Sequence, residues 1–501
     1  MNTAQELRDI EDAILEAGSA QRTTQEAQRP AQASLHAPMA EPIAIVGLSG
    51  FFPGCQSVDQ FWQALDRDAS LIEEIPPSRF DWRTAGGRSR WGGFIPDIAG
   101  FDPAFFGIPP GEAVTMDPRQ RLLLMSAYQT LGDAGYAPRS LKRSRTGVFV
   151  AIQDNEYLKL LEAAGIDTGE WYAQTSLLAN RLSYFFDFRG ASEVVDAQCP
   201  GAAVAIHRAV SALRLGELDQ ALVGAANLLL TPEPFALLSE SGQLSPTDSV
   251  NSFGSRAQGH LRSEGVASVL LKPLSRALAD NDHVYALIRS TAVNYNGQGG
   301  ASIAAPNLES HVEVIKDCYR RASIDPRHVR YIEAQGMGNV LADLVEWRAF
   351  NRALGELAQQ QRLTLEPGAC RVSTVKPMMG HMESASALGA LFKVVRSLES
   401  GVVHKVAAFT DYHPEMEREG EPCAIAEQTA PWLRTGGARL AGVHCYGMGG
   451  INAHLLIEEF EPVPREREPP RPALIVLSAR SEASLATMVR EFLQHLRENT
   501  D

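Results

Sequence analysis

The chain has 501 residues, 45% of them hydrophobic, and a formal net charge of -14. That is enough apolar material for two or three packed units, and the acidic balance excludes nonspecific nucleic-acid binding. The six cysteines show no CxxC spacing, which argues against a zinc site and for a reducing cytoplasm, and no apolar run is long enough for a membrane span or a signal core.

Residues 1–40 stand apart. Met1–Ala20 reads as a short acidic amphipathic helix with Leu7, Ile10, Ile14 and Leu15 on one face, either a docking element for another chain or a frayed tail. Gln21–Met39 is a Gln-, Ala- and Pro-rich linker. The globular part opens at EPIAIVGLSGFFPGC, with a buried strand at Ile43–Val46 and a turn-rich loop at Gly47–Gly54 that is no GxGxxG fingerprint. Val58–Leu65 is expected to be helical and Arg79–Gly93 to be a Gly/Arg/Trp loop. Asp117 can cap the helix of MDPRQRLLLMSAYQTLGDAG, with Pro118 in its first turn. A strand at Val148–Ile152 and a helix at Leu177–Phe186 follow.

The stretch Ser192–Gly216, SEVVDAQCPGAAVAIHRAVSALRLG, is a β-run at Glu193–Ala197, a tight corner carrying Cys199, and a small-residue helix from Pro200. Unpaired N–H groups and the positive end of the helix dipole favour a thiolate at such a corner. A free cysteine is also often a small buried core residue. Strands at Gln220–Leu229 and Ala267–Lys272 complete the first series.

A second series repeats the first: strand Tyr285–Val293, helix Ser310–Ala322, strand Arg330–Ala334, helix Val340–Gly355, strand Arg371–Lys376, then a second small-residue helix, Met382–Ser400. Cys199 lies at the corner of one series and His381 at the corner of the other. The pattern predicts two similar α/β halves, about 41–284 and 285–460, each bringing one reactive residue to a helix N-terminus. Ala441–Tyr446 and Ala453–Glu458 are strands around the loop GMGG. Pro462–Pro472 is a linker by composition, and strand Ala473–Leu477 with helix Glu482–Arg497 reads as the start of a flanking unit or a flap, within 461–501.

EPIAIVGLSGFFPGC, MDPRQRLLL, ANRLSYFFDFRG, VVDAQC, EAQGMGN, VKPMMGH and GMGGINAH occur in the order and spacing of the ketosynthase domains of modular polyketide synthases, and from Glu41 to Glu459 the chain resembles that family. The resemblance implies a thiolase-like duplicated five-layer α/β/α/β/α fold. It also implies a homodimer, an acyl carrier protein as partner, neighbouring synthase modules, and substrate delivered on phosphopantetheine with no cofactor or metal held by the chain itself.

The family's catalytic set is a cysteine and two histidines. Cys199 matches the nucleophile, His381 the second histidine and Lys376 the lysine before it. The first histidine belongs to a His-Gly-Thr-Gly-Thr stretch, which here is Gln335, Gly336, Met337, Gly338 and Asn339. Pro200, Gly201 and Ala202 replace the usual small hydroxyl residues, Met378 replaces an Asn, and Cys445 with Tyr446 replaces Ser-Phe. Asp343 and Glu346 match the downstream acidic pair. The resemblance implies oxyanion donors from the backbone of Cys199 and Met448, and it places Met337, Asn339, Met378 and Tyr446 at the substrate pocket.

Transacylation needs a nucleophile and an oxyanion hole. Decarboxylation also develops enolate charge, which two imidazoles face in the family. Gln335 is neutral and cannot exchange a proton near pH 7. The changes therefore resemble those of non-elongating ketosynthases, which load acyl chains and pass them on without extending them. An elongating enzyme with a substitute donor and a silent scaffold are the alternatives. His207, His260, His404, His444 and His454 read as structural, and Arg139, Lys142, Arg143 and Arg145 as a solvated loop or a dock for an acidic carrier protein.

Overall fold

The computed structural model describes residues 40–85, 89–154, 156–166, 174–298, 302–462 and 474–498. The expected helix Met1–Ala20 and linker Gln21–Met39 lie outside these, as does all but the first residue of the linker Pro462–Pro472. Contacts divide the chain into a unit ending at Phe460 and a second, Glu461–Asp501.

The first unit is organised on one eleven-stranded sheet. Its strands are β1 (Ile43–Phe51), β2 (Thr146–Ala151), β3 (Ser192–Val195), β4 (Gln220–Asn227), β5 (Gly265–Pro273), β6 (Ala286–Tyr295), β7 (Val329–Glu333), β8 (Cys370–Ser373), β9 (Cys423–Ile425), β10 (Leu440–Tyr446) and β11 (Ile451–Glu459). The order is β9-β8-β7-β10-β11-β6-β1-β5-β4-β2-β3.

The duplication is legible in the pairing. In the first half β2 runs parallel to β3 and β4, β4 antiparallel to β5, and β5 antiparallel to β1. In the second, β7 runs parallel to β8 and β10, β10 antiparallel to β11, and β11 antiparallel to β6. The halves meet where Ile43, Ala44 and Ile45 of β1 pair with Ile288, Leu287 and Ala286 of β6.

Helices complete five layers. α1 (Pro118–Asp133) and α2 (Leu177–Phe186) cover the outer face of the first half, sharing one core with β1, β2 and β4. α4 (Leu308–Arg321) and α5 (Val340–Gln361) cover the second. Between the half-sheets lie α3 (Gly201–Arg214) and α6 (Ser386–Ser400), in the central core. A helix enclosed on both sides must be apolar nearly all round and slim. The sequence of α3 meets this with Gly201, Ala202, Ala203, Ala205 and Ala209, all buried. α6 does so with Ser386, Ala387, Gly389 and Ala390. This is the duplicated α/β/α/β/α arrangement that the resemblance implies.

Several local expectations are corrected. β1 continues through Gly47 and Gly50 to Phe51, where a turn-rich loop was expected. A Cβ on Gly47 would lie 2.5 Å from the Thr130 carbonyl, so the glycine serves packing of α1 against the strand, not a turn. β8 ends at Ser373, and Lys376 opens a helical turn, Lys376–Met379, so that the lysine points from a corner and not from a strand. A 3-10 turn, Glu383–Ala385, precedes α6. Asp117 caps α1 as expected, accepting from Arg119 N at 2.8 Å. In the second unit, Leu474–Leu477 form no strand and α7 spans Glu482–Glu498.

Candidate active site

The two equivalent corners face a common region. At the first, β3 ends at Val195 and Gln198 adopts φ +56°, a left-handed conformation that costs a non-glycine residue about 1–2 kcal/mol. Its own groups hold it there: its carbonyl accepts from Gly201 N at 2.9 Å and its Oε1 from Gly449 N at 2.8 Å. The second bond ties the GMGG loop to the cysteine corner. Gly447 is required at that junction, because a Cβ there would lie 2.9 Å from Pro200 Cδ.

Cys199 is half-buried at the start of α3. The thiolate expected from the helix terminus is opposed by the surroundings. Loss of solvent, then the nearby Glu383 carboxylate, push the thiol up to about 12, against the pull of Lys376, the cysteine's own N–H and Arg262. Dipole stabilisation is worth less than burying an anion costs.

At the second corner His381 is fixed by its backbone, with N donating to Leu261 O at 2.7 Å and O accepting from Ser263 N at 2.9 Å. Its Nδ1 lies 2.6 Å from Ser386 Oγ, at the first residue of α6, and its Nε2 is buried without a partner. Burial, then Lys376, hold the ring neutral, well below the usual imidazole range. In the tautomer whose Nδ1 accepts from the Ser386 hydroxyl, Nε2 is an N–H donor.

The loop after β7 carries Gln335. Glu346 of α5 grips its backbone, accepting from Gln335 N at 2.6 Å and Gly336 N at 2.8 Å, and Asp343 accepts from Phe253 N at 2.7 Å. Burial pushes Asp343 up to about 7 and raises Glu346 as well. The acidic pair thus shapes the loop. The Gln335 amide is engaged at both ends: Nε2 donates to Tyr446 O at 3.0 Å and Oε1 accepts from Lys376 Nζ at 3.1 Å.

A cavity of about 340 Å³ opens onto Cys199. Met337, Asn339, Tyr446 and Met448 line it. Met378 does not: it is buried in the central core, where its carbonyl accepts from Leu71 N. Gln335, Lys376 and His381 lie deeper, each almost wholly buried. Two wall residues touch them: the His260 ring meets His381 edge to face with centroids 5.4 Å apart, and the Tyr446 carbonyl accepts from Gln335.

The sequence reads His260 as structural, since no spacing links it to Cys199 or His381. The isolated bridges Leu244–His260 and Arg262–His381 bring it there. His311, also on the wall, carries no sequence signal at all. His207 and His404 do bond structurally, to Thr291 and to Asp66 and Ser397. Among the described residues no cluster could hold a metal ion, and no helix is long and apolar enough to cross a membrane.

The duplicated fold, with a cysteine at one corner and a histidine at its counterpart, places the chain in the thiolase-like class. Family models narrow this: the Beta-ketoacyl synthase N-terminal domain matches residues 40–277, its C-terminal domain 285–410, and the Ketoacyl-synthetase C-terminal extension 419–501. The chain belongs to the beta-ketoacyl synthase family and is a ketosynthase domain of the modular polyketide synthase kind.

It is 36% identical to polyketide synthase PksN of Bacillus subtilis over 92% of its length, and 41% identical to polyketide synthase ThaG of Burkholderia thailandensis over 83%. It spans 9% and 8% of those much longer relatives. Among solved structures it resembles the ketosynthase from module 6 of the bacillaene synthase of Bacillus subtilis (TM-score 0.85, 33% identity, 92% of this chain and 78% of that one). It also resembles an oxazolomycin ketosynthase domain of Streptomyces albus (TM-score 0.86, 32% identity, 92% and 81%).

Proposed function

We propose that the chain is a non-elongating ketosynthase: it accepts an acyl chain from a carrier-protein phosphopantetheine thioester onto Cys199 and passes it to the next carrier without decarboxylative condensation. In the loading step the Cys199 sulfur bonds to the acyl carbon, the bond from that carbon to the phosphopantetheine sulfur breaks, and the departing sulfur leaves as a thiol with the proton Cys199 gives up. Transfer onward is the reverse with a second carrier thiol. The backbone N–H groups of Cys199 and Met448 are the proposed oxyanion donors, and the domain is proposed to work as a homodimer among neighbouring modules in the cytoplasm.

The observation that carries this reading is Gln335. It stands where the family's first histidine belongs, it is neutral, and both ends of its amide are already engaged. Loss of one positioned donor to a developing anion costs about 2.7–4 kcal/mol, roughly a hundred- to thousandfold in rate. That loss falls on enolate formation and not on thioester exchange.

One observation favours a second reading. His260 is a neutral imidazole beside His381 on the cavity wall, held down to about 3 by burial, then by Arg262 and Lys376. It could act as the second donor of an elongating enzyme. The test is to load the protein with an acyl thioester and then supply malonyl-carrier protein. Intact-protein mass should show an acyl adduct that is lost in Cys199→Ala, with little CO₂ released and no β-keto product. Condensation as fast as acylation, abolished in His260→Phe, would establish the second reading instead.

A further inference from the structure

We propose that the wall of the Cys199 cavity formed by His311, Tyr446 and Asn452 is a recognition site for a hydroxyl group on the acyl chain. This rests on the reading that Cys199 receives an acyl chain. The three residues line the cavity together with Cys199. Each presents a buried polar atom without a protein partner: His311 Nε2, Tyr446 Oη and Asn452 Oδ1. Their side chains converge. Tyr446 and Asn452 are cross-strand neighbours on β10 and β11, and the His311 and Tyr446 rings lie 4.8 Å apart. An orphaned buried polar atom costs about 1–3 kcal/mol, so three on one wall call for a ligand that satisfies them.

Networks behind the wall decide which atoms donate. His311 Nδ1 lies 3.0 Å from His444 Nε2, His444 Nδ1 3.3 Å from His454 Nδ1, and His454 Nε2 3.2 Å from the Tyr319 hydroxyl. Burial keeps all three rings neutral, His311 at about 4, His454 at about 3 and His444 well below the usual range, so each carries one proton. The Tyr319 hydroxyl is buried with His454 as its partner, and it satisfies its proton by donating. Each ring then donates to the next, and His311 Nε2 emerges as an N–H donor.

The asparagines fix the opposite polarity. Asn294 Nδ2 donates to Ser310 O at 2.7 Å and Asn296 Nδ2 to Ala305 O at 3.3 Å, turning both amide oxygens toward Asn452. Asn452 Nδ2 donates to both, at 2.9 and 2.8 Å, and its Oδ1 is left as an acceptor without a protein partner. A donor and an acceptor that each neighbour Tyr446, whose hydroxyl can serve either way, match a group that both accepts and donates. A hydroxyl does so. A ketone accepts only, and a methylene does neither. Met337 and Leu341 supply apolar wall for the rest of the chain.

The test is binding of acyl-pantetheine thioesters to the Cys199→Ala protein, which cannot be acylated there. The panel is hexanoyl, β-oxohexanoyl and the β-, γ- and δ-hydroxyhexanoyl forms. At least one hydroxy form should bind at least about tenfold tighter than hexanoyl and β-oxohexanoyl. Adding Tyr446→Phe, which removes one oxygen and keeps the ring, should reduce that advantage several-fold. Equal affinities across the panel overturn the hydroxyl site and leave solvent as what the wall holds, whatever acyl transfer does. A hydroxyl preference in Cys199→Ala with no acylation of the unaltered protein overturns the acyl-transfer reading and leaves the site standing.

Discussion

Gln335 is bound at both ends of its side chain, by the Tyr446 carbonyl and the Lys376 ammonium. Its removal therefore strands a buried acceptor and a buried cation together. Gln335→Ala should lower unfolding free energy by about 1–3 kcal/mol, read from the urea midpoint. Gln335→His is the more informative change. An imidazole restores a donor capable of proton exchange, but the Lys376 and Tyr446 partners were arranged for an amide and the substitutions couple. A partial gain of malonyl decarboxylation with acylation little changed is the expected result. Full family-like condensation from this one change would mean that Met337, Asn339 and Tyr446 have no part in the loss.

At the scale of elements, the site is two strand–corner–helix units and two loops locked together. The GMGG loop reaches the cysteine corner through one hydrogen bond, Gly449 N to Gln198 Oε1, and one close approach, Gly447 against Pro200. A valine at residue 447 places its Cβ 2.9 Å from Pro200 Cδ and 3.5 Å from Gln198 Cβ, so one of the two elements must move. Overpacking of this kind costs about 1–3 kcal/mol. Gly447→Val should slow acylation of Cys199 by at least about tenfold, measured by timed intact-protein mass, while far-UV circular dichroism is unchanged. An unchanged acylation rate would show that the loop does not position the reacting groups.

Across the whole molecule, buried imidazoles set a pH dependence. His260, His311, His381, His444 and His454 are all held below the ordinary value, each chiefly by loss of solvent. Unfolded, each would titrate near about 6.5. The stability associated with them is fully present above that pH and is lost as pH falls toward the folded values, by about 1.4 kcal/mol per pH unit for each ring. Asp343 acts the other way: burial raises it to about 7, so the folded chain holds a proton that the unfolded chain has released above about 3.9. In NMR titration of histidine-labelled protein these five rings should keep neutral signals down to about pH 5. His311, His444 or His454 titrating near about 6.5 would remove the basis for the donor assigned to His311.

Much of this was legible in the chain before folding. Periodicity, caps and small-residue helices placed Leu177–Phe186, α1 and the two corners, because those signals are local: a Pro after a capping Asp, or alanines where a helix must be slim. The ordered motifs carried the family, the expectation that Cys199 is the nucleophile, and the substitution at Gln335. What local sequence could not decide was contact between distant segments. Gly47 and Gly50 read as a turn, yet they are strand residues whose missing side chains admit α1 at Gly47 and the Phe52 ring at Gly50. Met378 sits within a catalytic motif, yet it turns into the core because the helical turn Lys376–Met379 faces it that way. His260 and His311 have no motif, and only the meeting of β-bridges, α4 and two half-sheets brings them to Cys199. The thiol, too, obeys its surroundings: the helix terminus is written in the sequence, but the burial that outweighs it exists only once the layers have closed.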